Sequence, residues 1–131
     1  MDFEEITLTQ DFDSARNTVV EALATEGFGI ITQIDMHETF KAKLGVDFRP
    51  YTILGACNPQ LALNAVSAAP AIGLLLPCNV TVEQVDGATL VRIPDAREIL
   101  GGAGISDAPE LKELAADAGA RLARVVAVLR G

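Results

Sequence analysis

The chain has 131 residues, of which 50% are hydrophobic and 21% are charged. This composition excludes intrinsic disorder and predicts a single domain, residues 1–131, with a substantial hydrophobic core. Its 18 acidic and 10 basic residues give a formal net charge of −8. A negative charge of this size repels phosphate groups, so we expect neither nucleic acid nor membranes among its partners.

The excess negative charge is concentrated at the start of the chain. Residues 1–26 hold seven acidic residues against Arg16 alone, a net charge of −6. The remaining residues hold eleven acidic and nine basic ones, a net charge of −2. We interpret the acidic segment as a solvated surface that favours solubility.

Cysteine content and apolar runs predict the compartment. The opening residues lack the positive charge and apolar stretch of a signal peptide. No apolar run approaches the roughly 20 residues that span a bilayer. Two cysteines, Cys57 and Cys78, are too few for a disulfide framework. We therefore expect a soluble, cytoplasmic protein with reduced thiols.

The first third of the chain predicts a strand, a helix and a second strand. Alternating apolar and polar residues over Phe3–Thr9 are typical of a strand. Asp11 or Asp13 then caps a helix, which Gly27 ends in a left-handed conformation. The β-branched run Phe28–Ile34 predicts the second strand. The apolar residues of the helix fall at helical spacing: Phe12, Ala15, Val19, Ala22 and Leu23.

A short helix follows. The segment Asp35–Glu38 fits a capping box with Asp as the cap. Met36, Phe40 and Leu44 recur every four residues, so we expect them to form the inner face of this helix. Gly45 ends it.

The middle of the chain predicts a buried strand that leads directly into a helix. The strand covers Tyr51–Cys57. Asn58 is a good helix cap and Pro59 suits the first helical position. We expect this helix to run to about Ala69, because Pro70 stops it.

The last part of the chain predicts a hairpin and the longest helix. Leu74–Val85 and Ala88–Ile93 flank Asp86-Gly87, a favoured hairpin dipeptide. Gly101–Gly104 is interpreted as a flexible loop, and Asp107–Glu110 as a second capping box. The expected apolar stripe of the last helix is Leu111, Leu114, Ala115, Ala118, Leu122, Val125, Val126 and Leu129.

These elements predict the α+β class, with helices packed on one face of a mainly antiparallel sheet. The hairpin is the main reason for this choice. A doubly wound parallel sheet is the alternative.

The motifs of several large enzyme classes are missing from the sequence. It contains no GxGxxG or GxxxxGK[ST] phosphate loop, no GxSxG and no HExxH. Its single histidine, His37, would have to serve any scheme that needs an imidazole. We interpret it as a surface histidine, with a ligand or base as the alternative.

Two Cys-Asn pairs carry the clearest signal. Cys57 stands at the end of a predicted strand and just before a capped helix, a position that lowers a thiol pKa. The alternative is a small buried hydrophobe. The second pair, Cys78-Asn79, meets the first if the two strands are adjacent. Two thiols and one histidine fall short of a structural zinc site, and neither pair has CxxC spacing.

Asp47 and Arg49 flank Phe48 just before the buried strand. Strand-like alternation would place both charged side chains on one face, opposite Phe48. They then form either a structural ion pair or the polar rim of a pocket, with Tyr51 beside them.

Three blocks of the sequence resemble a known family. They are residues 26–35, Lys43–Pro59 and Gly73–Val80, and they are similar to the signature of the family designated domain of unknown function 302. The resemblance covers most of the chain and is strongest from about Ala22 to Val82. Its short motifs lie on Asp47, Arg49, Pro50, Tyr51, Gly55, Cys57, Asn58, Pro59, Pro77, Cys78 and Asn79.

The resemblance implies a β-α-β4-α fold, with a short additional helix or two, loosely like the TATA-binding protein in architecture. It also implies a homodimer. It supplies no cofactor and no catalytic residue.

Three functions follow as hypotheses. The first is a module that binds a small ligand or metal near the Cys-Asn motifs. The second is a thiol-dependent enzyme or redox sensor that uses Cys57. The third is a structural or interaction domain whose dimer is the function. The candidate ligand-binding residues are Asp47, Arg49, Tyr51, Cys57, Asn58, Cys78 and Asn79.

Overall fold

The computed structural model describes residues 2–101 and 104–131. The five strands are β1 (Phe3–Leu8), β2 (Gly29–Asp35), β3 (Tyr51–Cys57), β4 (Cys78–Val85) and β5 (Ala88–Pro94). The α-helices are α1 (Phe12–Ala24), α2 (Met36–Leu44), α3 (Pro59–Ala68), α4 (Ala96–Leu100) and α5 (Glu110–Arg130). A 3₁₀ helix covers Pro70–Leu75.

The strands form one sheet in the order β1-β5-β4-β3-β2, and every neighbouring pair is antiparallel. This confirms the α+β class. The parallel-sheet alternative was wrong, because β3, β4 and β5 follow one another as antiparallel neighbours. The strands match the one plus four strands of the β-α-β4-α outline. β1 and β2 are the two edges of the sheet.

The hydrophobic core lies between one face of the sheet and the helices. Alternate residues of the central strands are buried on that face, among them Leu54, Val82 and Val91. Residues of α1, α3, α4 and α5 join the same buried cluster. The predicted stripe of α5 is buried except for Leu114, which is partly buried. Among the described residues, the opposite face of the sheet carries no helix of this buried cluster.

Local capping and turn signals were confirmed at three points. The Asp11 carboxylate accepts a hydrogen bond from the Ser14 N–H (2.8 Å) at the start of α1. The Asn58 side chain does the same for Leu61 (3.2 Å) at the start of α3. Asp86 and Gly87 have φ values of 48° and 80°, as a tight hairpin requires.

Both predicted capping boxes were wrong, because neither α2 nor α5 has a side-chain hydrogen bond that caps its first turn. The Asp35 carboxylate accepts from the Thr52 hydroxyl (2.7 Å) and does not cap α2. No side chain caps α5, whose cap position is Pro109. The glycine-rich loop lies partly outside the described residues, since 102 and 103 are not among them.

The boundaries also differ around β4 and after β5. β4 begins at Cys78, four residues later than predicted, because Pro70–Leu75 forms the 3₁₀ helix. The sequence prediction missed α4. Its start is marked by Asp95, whose carboxylate accepts from the Arg97 N–H (2.9 Å).

The predicted inner face of α2 is not buried. No residue of α2 is buried, and Leu44 is 71% exposed. Instead of entering the core, α2 packs against the beginning of β3, and Phe40 contacts Phe48 edge-on at 5.2 Å.

Within the described ranges, no helix is both long enough and apolar enough to cross a membrane.

Candidate functional site

The seven candidate residues divide between the two ends of β3. Asp47, Arg49 and Tyr51 lie at its beginning, whereas the two Cys-Asn pairs lie at its end. Seven residues of strand span on the order of 20 Å. One small ligand therefore does not contact both groups, and each end is described separately.

At the end of β3 the two Cys-Asn pairs are neighbours. Cys78 of β4 pairs with Ala56, the residue before Cys57, and Asn79 pairs with Gly55. Both cysteines line one small, mainly apolar cavity of about 20 Å³. This is room for about one water molecule. The two pairs therefore lie side by side on adjacent strands.

The two thiols differ in their surroundings. Cys78 belongs to the core, and burial together with the nearby Cys57 raises the pKa of its thiol to about 11. At neutral pH it is therefore almost entirely protonated, and the thiolate is the reactive form. Cys57 is partly exposed. Thiol chemistry at this end would fall on Cys57.

The two asparagines have different surroundings, because Asn58 lines the small cavity with the cysteines and Asn79 lies outside it. Asn58 caps α3, and its side-chain amide donates a long hydrogen bond (3.5 Å) to the carbonyl of Glu26. Asn79 is exposed on the face of the sheet away from the core. Among the described residues no group of three His, Cys, Asp or Glu side chains could hold a metal ion.

Close packing continues at Gly55. A Cβ atom at this position would lie 2.0 Å from the Thr32 hydroxyl oxygen and 2.8 Å from Cγ of Pro77. Both are closer than real contacts allow, so only glycine fits without a shift. Gly55 and Pro77 of the family motif therefore serve packing.

At the beginning of β3 the charged residues form ion pairs with partners other than those predicted. Asp47 pairs with Lys41 (2.8 Å), and Arg49 pairs with Glu83. The residues before β3 are not a strand, so Phe48 is not opposite Arg49. The Phe48 ring lies under the Arg49 guanidinium, whose Cζ is 4.3 Å from the ring centre. The predicted Asp47–Arg49 ion pair was wrong.

Glu83 of β4 is the centre of an ion network on the uncovered face of the sheet. It is 3% exposed and accepts hydrogen bonds from Arg49 Nε and from Arg92 Nη1 (2.8 Å). Arg92 Nε donates to Glu5 (2.9 Å). Burial alone would raise the pKa of the Glu83 carboxyl, but the hydrogen bonds from Arg92 and Arg49 outweigh it, so the pKa is lowered.

This network forms part of an open groove of about 710 Å³. Its walls include Pro50, Val85 and Leu90, and Arg49 and Arg92 contribute the positive charge. A second cleft of about 600 Å³ lies between α5 and the β1 edge, lined in part by Arg97 and Gly119, and contains none of the candidate residues. The groove beside Arg49 is therefore the candidate site.

Tyr51 connects the sheet to α2 through His37, which lines a different cleft from the groove. Tyr51 is the strand partner of Glu83. Its N–H donates to Nδ1 of His37 (3.0 Å), and the imidazole also meets Phe12 edge-on. His37 thus supports the start of β3. It is a half-buried side chain with a structural contact and not the surface histidine that we predicted.

The sequence prediction missed Glu83 and Arg92. A signal for them existed, because the Asp86-Gly87 hairpin fixes the register in which Thr81 pairs with Arg92 and Glu83 with Leu90. In that register the buried residues of both strands alternate with Glu83 and Arg92, which share the outer face. Finding these two residues from sequence requires the register of the hairpin as well as its turn.

Comparison with known proteins gives a consistent result. The family model of domain of unknown function DUF302 matches residues 4–129. A crystal structure of an uncharacterized conserved protein DUF302 from Bacillus stearothermophilus has a TM-score of 0.82 and 32% sequence identity. The match covers 97% of each chain. No curated protein matches the chain.

Proposed function

The chain belongs to the family of domain of unknown function DUF302, and we propose that it is a homodimeric module that binds a small ligand in the groove beside Arg49. The observation that carries ligand binding is the contrast in volume between the two ends of β3. The groove at the Arg49 end measures about 710 Å³, within the usual range of ligand sites, and the cavity at the cysteine end about 20 Å³.

A thermal-shift screen tests the ligand site. The panel contains divalent metals, haem, nucleotides, amino acids, sugars and carboxylic acids. We compare the shift that each compound causes in the wild type, in Arg49→Gln and in Arg97→Gln. Arg97 is the matched control, because it is an exposed arginine that lines the other cleft.

We expect at least one compound to raise the melting temperature of the wild type and of Arg97→Gln by 2 °C or more, roughly the shift for a ligand well above its Kd. Arg49→Gln should lose that shift. A compound whose effect is lost only in Arg97→Gln would move the site to the cleft beside α5. A panel without any effect would refute the proposal.

Exposed apolar residues support the dimer. Four large hydrophobic side chains between residues 31 and 46 are exposed to solvent and not packed in the core. They are Ile31, Ile34, Leu44 and Val46. Clustered exposed apolar side chains are typical of protein interfaces.

The charge of the same segment favours a second copy as the partner. Residues 29–46 contain two acidic and two basic side chains, a net charge of zero in a chain of −8. Two copies that meet here avoid the repulsion that their other surfaces would cause. We call residues 29–46 the β2–α2 surface.

The edge of the sheet adds a second reason. β2 has a strand neighbour on one side only, so its other side presents backbone groups for pairing. The opposite edge is guarded, since β1 carries Glu4 and Glu5 and Arg130 donates to the Glu5 carbonyl (3.3 Å). We propose antiparallel pairing of β2 with the β2 of a second copy about a two-fold axis.

Light scattering after size-exclusion chromatography tests the dimer. We expect twice the chain mass of 13.8 kDa for the wild type at micromolar concentration. Ile34→Asp should shift it to the monomer with an unchanged circular dichroism spectrum. Leu63→Asp is the control, because Leu63 is more exposed than Ile34 but lies on α3, and it should remain dimeric. A monomeric wild type, or two variants that behave alike, would refute the β2–α2 interface.

A further inference from the structure

We infer that the ligand of the groove is a monoanion with one carboxylate group and an apolar body. This inference rests on the proposed ligand-binding function and specifies its chemistry. It follows from three properties of the groove: unused guanidinium donors, a balanced local charge and apolar walls.

The donors belong to the two arginines. Arg49 donates to Glu83 through Nε, and within the described residues its two Nη groups make no hydrogen bond. Arg92 uses Nε for Glu5 and Nη1 for Glu83, which leaves Nη2. Glu83 holds both side chains in place, so the free N–H groups are positioned before a ligand arrives. A planar pair of guanidinium donors matches the geometry of a carboxylate.

The arrangement of the Arg49 guanidinium also limits how a ligand approaches. The guanidinium carbon lies 4.3 Å from the centre of the Phe48 ring, so the ring shields one side of the group. The side chain remains 52% exposed, so a small ligand can reach it from solvent. An in-plane approach to two adjacent N–H groups favours bidentate binding.

The local charge favours one negative charge on the ligand over two. The ionised side chains that line the groove are Arg49, Arg92, Glu83 and Asp86, and together they are neutral. The whole chain carries −8. Inorganic phosphate at neutral pH is partly a dianion, so it would meet Glu83 and Asp86 with more negative charge than a carboxylate. We therefore expect phosphate to bind more weakly.

The walls account for the apolar body. Leu90, Val85 and Pro50 are partly exposed and line the same groove. A ring or short chain placed against them removes apolar surface from water, which contributes roughly 25 cal/mol for each Å² buried. Because the groove is open to solvent, this contribution is partial.

Titrations with four probes followed by NMR test the inference. The probes are benzoate, hexanoate, inorganic phosphate and benzamide, which has the shape of benzoate without its charge. We expect benzoate and hexanoate to shift amide signals around Leu90 and Gln84, with phosphate and benzamide binding at least tenfold more weakly. Arg49→Gln should weaken benzoate binding at least tenfold and Arg49→Lys less, since lysine keeps the charge but loses the planar donors. Arg97→Gln is the control and should leave it unchanged.

The outcomes separate this inference from the function on which it rests. Phosphate or benzamide binding as tight as benzoate binding, or equal benzoate binding to Arg49→Gln, would overturn the carboxylate. If another class of the thermal-shift panel then binds the groove, the proposed function stands alone. If neither the panel nor the four probes affect groove residues, both proposals fail.

Discussion

The two ends of β3 differ in packing, since one end is closely packed and the other is open to solvent. At its end, Gly55 is covered by Thr32 and Pro77, Cys78 is buried and the remaining cavity has room for about one water molecule. At its beginning, Arg49 is half exposed above a groove of about 710 Å³. The family motif runs through both ends, so its residues serve two purposes, close packing at one end and an accessible ion network at the other.

The buried end should be the more sensitive to substitution, and Gly55→Ala should have the largest effect. The new Cβ would overlap Thr32 and Pro77, and we expect a loss of about 3 kcal/mol in the free energy of unfolding. Urea denaturation followed by circular dichroism measures it. Thr32→Ala should restore part of the loss in the double variant.

Gly29→Ala is the matched control for this substitution, because a Cβ on that β2 residue meets nothing within 4 Å. It should change stability by about 0.5 kcal/mol or less. Equal losses for the two alanine variants would contradict close packing at Gly55.

Serine in place of the two cysteines should separate a buried thiol from a partly exposed one. Cys78→Ser places a hydroxyl in the apolar core without an evident partner, which we expect to cost about 2 kcal/mol. Cys57→Ser should cost about 0.5 kcal/mol or less. The same denaturation assay applies. A larger loss for Cys57 would reverse the assignment of the buried thiol.

Glu83→Gln tests the ion network at the open end, where we expect a smaller effect of about 1 kcal/mol at pH 7. The pKa of this carboxyl is lowered in the folded protein from its ordinary value of 4.5. Its contribution is therefore complete above that value and is lost as the pH falls through the lower, folded pKa. The stability difference between wild type and variant should shrink as the pH falls from 6 to 3.

Glu113→Gln provides the control, since Glu113 is exposed on α5. It should leave the pH dependence of stability as in the wild type. A difference between wild type and Glu83→Gln that stays constant over this pH range would show that the network does not depend on the charge of Glu83.

Much of the fold was predictable from local signals. β3, the Asn58 cap and the Asp86-Gly87 turn each depend on a few consecutive residues, and the structure contains all three. The α5 stripe was equally clear, because 21 residues of helix give its periodicity many repeats. Such features need no knowledge of distant parts of the chain.

The missed features depend on distant partners. Asp35 has the sequence context of a helix cap, yet its carboxylate accepts a hydrogen bond from the Thr52 hydroxyl instead. α2 has an amphipathic pattern, but Met36 and Phe40 are only partly buried and Leu44 is exposed. Glu83 looked like an ordinary charged residue of an exposed strand face, and only its two arginines, one from the loop before β3 and one from β5, make it a centre.

The pairing of β1 with β5 has a consequence for the time course of folding. Ile6 pairs with Val91, so during synthesis β1 has no neighbour in the sheet until β5 has been made. The core then closes only when α5 has emerged, since it packs on α1, α3, α4 and β1. Contacts between residues so distant in sequence slow folding. A nascent chain that stops before residue 88 exposes β1 unpaired, the state in which chaperones would meet it.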